Sequence, residues 1–176
     1  SNVVDVRITG VNCVKCHYIQ GLEAGTRYYV RVWPFSESIE RKTPSATVSA
    51  VPKEVPAVPV NVRLIHVSAS TLELLWKPPV SDGGNTITKY EIEYDTNPQF
   101  NSGRSKRVYK YTSGKKTDYA QFIEDLNPGV KYYVRICAHN DVPFYPYGSS
   151  DNRNWELSSP IALTPKDIKP SAPSSV

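Results

Sequence analysis

Three stretches of the chain alternate apolar with polar side chains: Val60-Asn61-Val62-Arg63-Leu64-Ile65 for most of its length, Leu72-Glu73-Leu74-Leu75-Trp76, and Tyr90-Glu91-Ile92-Glu93-Tyr94. A period of two sends successive side chains to opposite faces, so each stretch predicts a half-buried β-strand. Clusters of turn formers separate them, Pro78-Pro79-Val80-Ser81-Asp82-Gly83-Gly84-Asn85 and the segment from Asn97-Pro98 to Gly103, as short strands in a sandwich require. No window sustains a helical period. Fifteen prolines, nine glycines and twelve tyrosines in 176 residues fit an antiparallel β chain whose turns need a fixed φ.

The pattern recurs along the chain. Gly25-Thr26-Arg27-Tyr28-Tyr29-Val30-Arg31-Val32 returns as Gly129-Val130-Lys131-Tyr132-Tyr133-Val134-Arg135-Ile136, and the same offset pairs Ser1 to Ser36 with Ser105 to Asn140 without a gap. A second offset pairs the segment from Pro56 to Val62 with that from Pro170 to Val176. Self-similarity of this kind marks a tandem array. The two alignments divide the chain into the rear half of one unit over 1–52, a complete unit over 53–166, and a linker with the opening of a further unit over 167–176.

Pro59, Trp76, the Pro78-Pro79…Asp82-Gly83-Gly84 turn, Tyr90-Glu91-Ile92-Glu93-Tyr94 and Leu126-x-Pro128-Gly129-x-x-Tyr132-x-Val134-x-Ile136-x-Ala138-x-Asn140 together resemble a fibronectin type III domain. The resemblance spans the whole second unit. It implies an all-β, immunoglobulin-like β-sandwich with Trp76 in the core on strand B, and a Tyr132 corner fixing the turn between strands E and F. Leu22-x-x-Gly25-x-x-Tyr28-x-Val30-x-Val32 repeats the rear motif in the first unit, with Pro34 and Ser36 where the second unit has Ala138 and Asn140. Half a sandwich buries one face against nothing. The missing strands of unit one are expected from upstream sequence, the alternative being edge addition by another chain.

Composition narrows the partners. Twenty-one basic and seventeen acidic residues leave a net charge of only +4. Arg104, Lys106, Arg107, Lys110, Lys115 and Lys116 nevertheless gather between strands C and E. They read either as a charged edge that discourages sheet-to-sheet pairing or as a patch for anionic glycans or lipid headgroups. Nothing resembles a groove-reading helix or a sheet of base-stacking aromatics, so nucleic acid is not an expected partner. No apolar run approaches the ~20 residues that cross a bilayer, and no membrane insertion of this segment is expected. No Asn-x-Ser/Thr sequon occurs, which argues against heavy N-glycosylation.

Cys13-Val14-Lys15-Cys16-His17 matches, as a string, the attachment site of c-type haem. The repeat alignment sets it opposite Thr117-Asp118-Tyr119-Ala120-Gln121, at the turn into a sandwich strand, where no pocket for a macrocycle is expected. Zinc wants a fourth ligand. No cofactor and no metal site is therefore expected, and Cys13 and Cys16 read as free thiols or as a disulfide in an oxidising compartment. Cys137 falls out of phase with Val134 and Ile136 and should project from the sandwich face. Glu91 and Glu93 read as the polar face of a half-buried strand. His17, His66 and His139 fall in separate strands, none visibly paired with a serine or cysteine nucleophile motif, and no glycine-rich loop precedes a helix. No catalytic residues and no enzyme are expected.

Between Asn140 and Pro160, where the family's F–G loop lies, stand Phe144, Tyr145, Tyr147 and Trp155. Such residue types anchor interfaces, and these four are the candidate partner-binding residues; the alternative is that they cap the sandwich end or fold onto a neighbouring repeat. The linkers from Pro52 to Pro59 and from Pro165 to Pro173 are rich in proline and poor in glycine, which limits swivel. The resemblance thus implies a structural and adhesive spacer and protein-interaction module within a longer multi-repeat protein, possible in a filamentous assembly, with neighbouring repeats and a protein as partners. The Tyr-Tyr-Val-Arg strands and Asp-Gly-Gly turn resemble surface arrays of protists and algae. Asp82-Gly83-Gly84-x-x-Ile87-x-x-Tyr90 also resembles the intracellular arrays of giant muscle proteins. The compartment is read as extracellular or cell-surface, with a cytoskeletal location as the alternative. Absorbance of the purified chain tests the haem alternative: no Soret band is expected.

Overall fold

Strands form where the alternation predicts them. The computed structural model describes residues 19–34, 43–114, 116–142 and 153–166. The readings made for Cys13, Cys16, His17, Lys115, Phe144, Tyr145, Tyr147 and the 167–176 segment lie outside the described residues. The chain divides into two compact units, Ser1–Pro52 and Lys53–Val176.

In the second unit, β3 (Val60–Ser68) pairs antiparallel with β4 (Thr71–Lys77), which pairs with β7 (Tyr119–Ile123). The opposing layer runs in the order β6 (Lys106–Tyr111), β5 (Lys89–Asp95), β8 (Tyr132–His139), β9 (Glu156–Leu163), all antiparallel. A parallel bridge between Arg63 and Ser159 stitches β3 to β9. This is the expected two-layer β-sandwich, and no helix occurs among the described residues.

Alternate residues of each strand meet in one core. Leu72, Leu74 and Trp76 come from β4, Tyr90, Ile92 and Tyr94 from β5, and Tyr132, Val134, Ile136 and Ala138 from β8. The Trp76 indole stands edge-on to Tyr90 at 5.3 Å between centroids and stacks on Tyr119 at 5.7 Å, tying the two layers together. Burial of this kind raises the pKa of the Tyr90 phenol. Each fully buried large side chain contributes ~1.5–3 kcal/mol by leaving water.

The sequence repeat is also a repeat of hydrogen bonds. In the second unit the Asn127 N–H donates to the Tyr132 hydroxyl at 3.1 Å, Gly129 adopts φ 77°, and its N–H donates to the Pro165 carbonyl at 3.0 Å. In the first, the Glu23 N–H donates to the Tyr28 hydroxyl at 3.0 Å, Gly25 adopts φ 82°, and its N–H donates to the Pro52 carbonyl at 3.0 Å. Both glycines occupy the left-handed region that a Cβ disfavours. There β1 (Tyr28–Val30) pairs antiparallel with β2 (Val48–Ala50). The surroundings differ: Val32 is 66% exposed, whereas its counterpart Ile136 is 0% exposed.

Replacing Tyr132 by Phe keeps the ring in the core and strands the Asn127 N–H. The expected cost is ~1–2 kcal/mol in urea denaturation of the second unit; a loss within a few tenths would show that the corner hydrogen bond contributes nothing.

Candidate functional site

Two features of the second unit go beyond what folding a sandwich requires. The first is a clasp on the proline-rich linker. Asn140, just past β8, donates both amide hydrogens, to the Glu54 carbonyl at 2.9 Å and to the Asp82 carbonyl at 2.8 Å. Asn154, just before β9, donates to the Pro56 carbonyl at 2.8 Å. The backbone completes the hold: Glu54 N–H donates to Gly83 O at 2.9 Å and Ala57 N–H to Ser81 O at 3.0 Å. Pro56 and Pro59 are buried.

The Asp82-Gly83-Gly84 turn gains its meaning here. Asp82 Oδ1 accepts from the Gly84 N–H at 2.9 Å, a local side-chain turn. Gly83 sits at φ 72°, and a Cβ placed on it would stand 2.2 Å from the Glu54 carbonyl oxygen. Only glycine lets the linker backbone approach so closely.

The second feature lies on the outer face of the β6-β5-β8-β9 layer, where the polar face expected of Glu91 and Glu93 is corrected. Both are buried, at 2% and 1% exposure. Arg107 reaches Oε1 of both, each at 3.2 Å; Arg135 Nε donates to Glu93 Oε2 at 2.7 Å, and Arg153 Nη1 stands 2.8 Å from Glu91 Oε1. The guanidinium carbon of Arg135 lies 4.3 Å from the ring centroids of both Phe100 and Trp155, and Arg153 lies 4.9 Å from Trp155. Arginines and aromatic rings thus form a stack that keeps water off the two carboxylates. Phe100 holds φ 55°, a conformation unusual for a bulky residue, and its ring is the outer plate of that stack. In the first unit Arg31, the counterpart of Arg135, stands over Trp33 at 5.0 Å.

Cys137 and His139 extend this cluster. Cys137 is out of phase with the core residues as expected, but it does not project to solvent: it is fully buried. Nor is His139 remote from a cysteine, since its Nε2 lies 3.4 Å from Cys137 Sγ and 2.8 Å from Glu91 Oε2. An ionised carboxylate only accepts, so Nε2 is the protonated nitrogen. One nitrogen faces both partners, whereas a catalytic relay engages the acid and the nucleophile through opposite ring nitrogens. Burial pushes the Glu91 carboxyl up, but the His139 hydrogen bond and the charges of Arg153 and Arg107 more than offset it, holding its pKa below the usual carboxylate value.

The candidate residues are placed as follows. Trp155 is half-buried against Arg135 and Arg153. Arg107 belongs to the outer-face cluster, while Lys106 and Lys110 pair with the core-facing Tyr94 and Tyr90 and so point to the opposite side of β6. Arg104 and Lys116 are exposed in the flanking loops. The basic residues are therefore not brought onto one face. Sequence reasoning missed the cluster although a signal existed: Glu93 is the direct cross-strand partner of both Arg107 and Arg135, and three opposite charges in one row are a pairing signature.

The sequence profile of the fibronectin type III domain matches residues 57–149, just over half of the chain. Protogenin of Mus musculus is 28% identical over 155 residues, 87% of this chain and 12% of its own length. Fibronectin type III domain-containing protein 2 of Margaritifera margaritifera is 30% identical over 140 residues, 77% of this chain and 20% of its own. The striated-muscle M-protein of Gallus gallus is 34% identical over 123 residues, 70% of this chain and 8% of its own. The chain thus spans a fifth or less of each of these relatives.

Two measurements check the cluster. Arg135→Ala removes a mostly buried partner of Glu93 and should cost about 3 kcal/mol, whereas Arg107, 40% exposed at its side chain, should cost about 1 kcal/mol or less as alanine; equal losses in urea would contradict this division. Because the folded-state pKa of Glu91 is lowered, its contribution is present above the ordinary value of ~4.3 and is lost as pH falls through the folded value. Stability measured against pH should therefore decline on that acid limb, and Glu91→Gln should make the decline shallower.

Proposed function

The chain belongs to the fibronectin type III family, and on that footing we propose that it is a spacer and protein-interaction module of a longer multi-repeat protein. Domains of this family are generally non-catalytic structural and interaction modules. We read 53–166 as one complete domain, 1–52 as the rear half of a preceding one and 167–176 as the opening of the next. The observation that carries the spacer reading is the clasp: Asn140 and Asn154, at the two ends of the F–G connection, both hold the linker backbone. A linker fixed at Glu54, Pro56 and Ala57 has lost most of the torsions through which one domain swivels on the next.

Binding is assigned to the F–G connection, with Phe144, Tyr145, Tyr147 and Trp155 as anchors and a protein as partner. An anionic glycan is the secondary partner. A cell-surface location is the primary reading. A cytoskeletal array is the alternative, favoured by the likeness to striated-muscle M-protein. A Cys13–Cys16 disulfide, or covalent sugar on a serine or threonine, in the native protein would decide for the surface, and reduced thiols for the alternative.

The spacer reading is tested with spin labels on introduced surface cysteines, one in each unit, in a Cys13→Ser, Cys16→Ser background. Asn140→Ala with Asn154→Ala should broaden the inter-label distance distribution and speed amide exchange at Glu54 and Ala57 by at least about ten-fold, the equivalent of ~1.4 kcal/mol. Faster exchange with an unbroadened distribution would leave the clasp intact as a description and remove the spacer reading. For the loop, Trp155→Ala with Tyr147→Ala should abolish partner capture, and a variant that loses neither a partner nor rigidity would remove the binding role.

A further inference from the structure

One corner of the outer face brings three metal-ligating atoms together. Cys137 and His139 are two residues apart on β8 and so share a face, and Glu91 on β5 is the direct cross-strand partner of Cys137. The Glu91 carboxylate oxygen, Cys137 Sγ and His139 Nε2 lie within 4.8 Å of one another, and all three residues are buried. Metal–ligand bonds of ~2.0–2.3 Å in tetrahedral geometry put neighbouring ligand atoms ~3.3–3.8 Å apart. The 3.4 Å from Sγ to Nε2 is already in that range, and the 2.8 Å from Nε2 to Oε2 needs only a small opening.

We propose that Glu91, Cys137 and His139 form a site for a zinc ion. Thiolate with imidazole selects a borderline-soft ion of zinc's kind over calcium or magnesium, which take oxygen ligands. The carboxylate is oriented in advance: Arg153 and Arg107 hold Oε1, so Oε2 faces the imidazole. Binding removes the thiol proton to solvent and moves the imidazole proton from Nε2 to Nδ1, so one proton is released per ion. The three side chains supply three of the four positions that zinc takes.

Charge sets the strength of this site. Three guanidinium groups already face two carboxylates here, and zinc with a thiolate adds one further positive charge. Affinity is therefore lower than at a closed four-ligand structural site, and the ion binds a sandwich that folds without it.

The full chain carrying Cys13→Ser, Cys16→Ser and His17→Ala retains a single thiol, that of Cys137, because the sequence has three cysteines. Titrated with cobalt(II) under reducing conditions, it should develop a thiolate-to-cobalt charge-transfer band at one ion per chain, displaced by zinc with release of one proton. Zinc should also raise its melting temperature, as binding to the native state requires. His139→Gln keeps the thiol and should lose the stoichiometric band. Absence of the band from the parent overturns the proposal. So does a band accompanied by a fall in melting temperature, which would mean binding to the unfolded chain, or one that His139→Gln leaves unchanged.

Discussion

Strand β5 is buried on both faces, and the sandwich depends on neutralising what the outer face carries. Tyr90, Ile92 and Tyr94 enter the core, while Glu91 and Glu93 disappear beneath Arg107, Arg135, Arg153 and His139. Removing two carboxylates from water costs several kcal/mol for each ion unless partners surround them. The partners come from both neighbouring strands and from the segment leading into β9. Ionic pairing thereby fixes the order of β6, β5 and β8 from outside the layer, as aromatic packing does from inside.

The same arrangement shows what the amino-acid pattern could and could not reveal. Period-two alternation identifies β4 and β5, and the Leu-x-Pro-Gly-x-x-Tyr spacing identifies the corner at Tyr132, because both are local and each position has one physical role. The burial of Cys137 is different. Its phase correctly keeps it out of the core, but phase says nothing of what stands on the other face, where His139 Nε2 lies 3.4 Å from its sulfur. Glu91 and Glu93 misled for the same reason: a charged residue on alternate positions signals solvent only when nothing of opposite sign lies across the ladder. Three of the clustered basic residues likewise separate on β6, where Arg107 takes one face and Lys106 and Lys110 the other.

Asn140 and Gly83 are legible in a weaker sense. Both belong to the pattern by which the family resemblance is drawn, yet neither discloses its task until the linker is seen. Gly83 is required by proximity as well as by dihedral angle, since a Cβ would collide with the Glu54 carbonyl, whereas Gly129 has open space around it and is required by its dihedral angle alone. Two glycines of similar positive φ thus answer to different constraints.

The close approach of Gly83 to Glu54 also marks where this module can be cut and joined. A segment trimmed to its first strand at Val60 would discard the Glu54 carbonyl, one of the two that Asn140 holds, and the Pro56 carbonyl that Asn154 holds. A sandwich moved beside a new neighbour therefore keeps both asparagine holds only if the stretch from Glu54 onward travels with it.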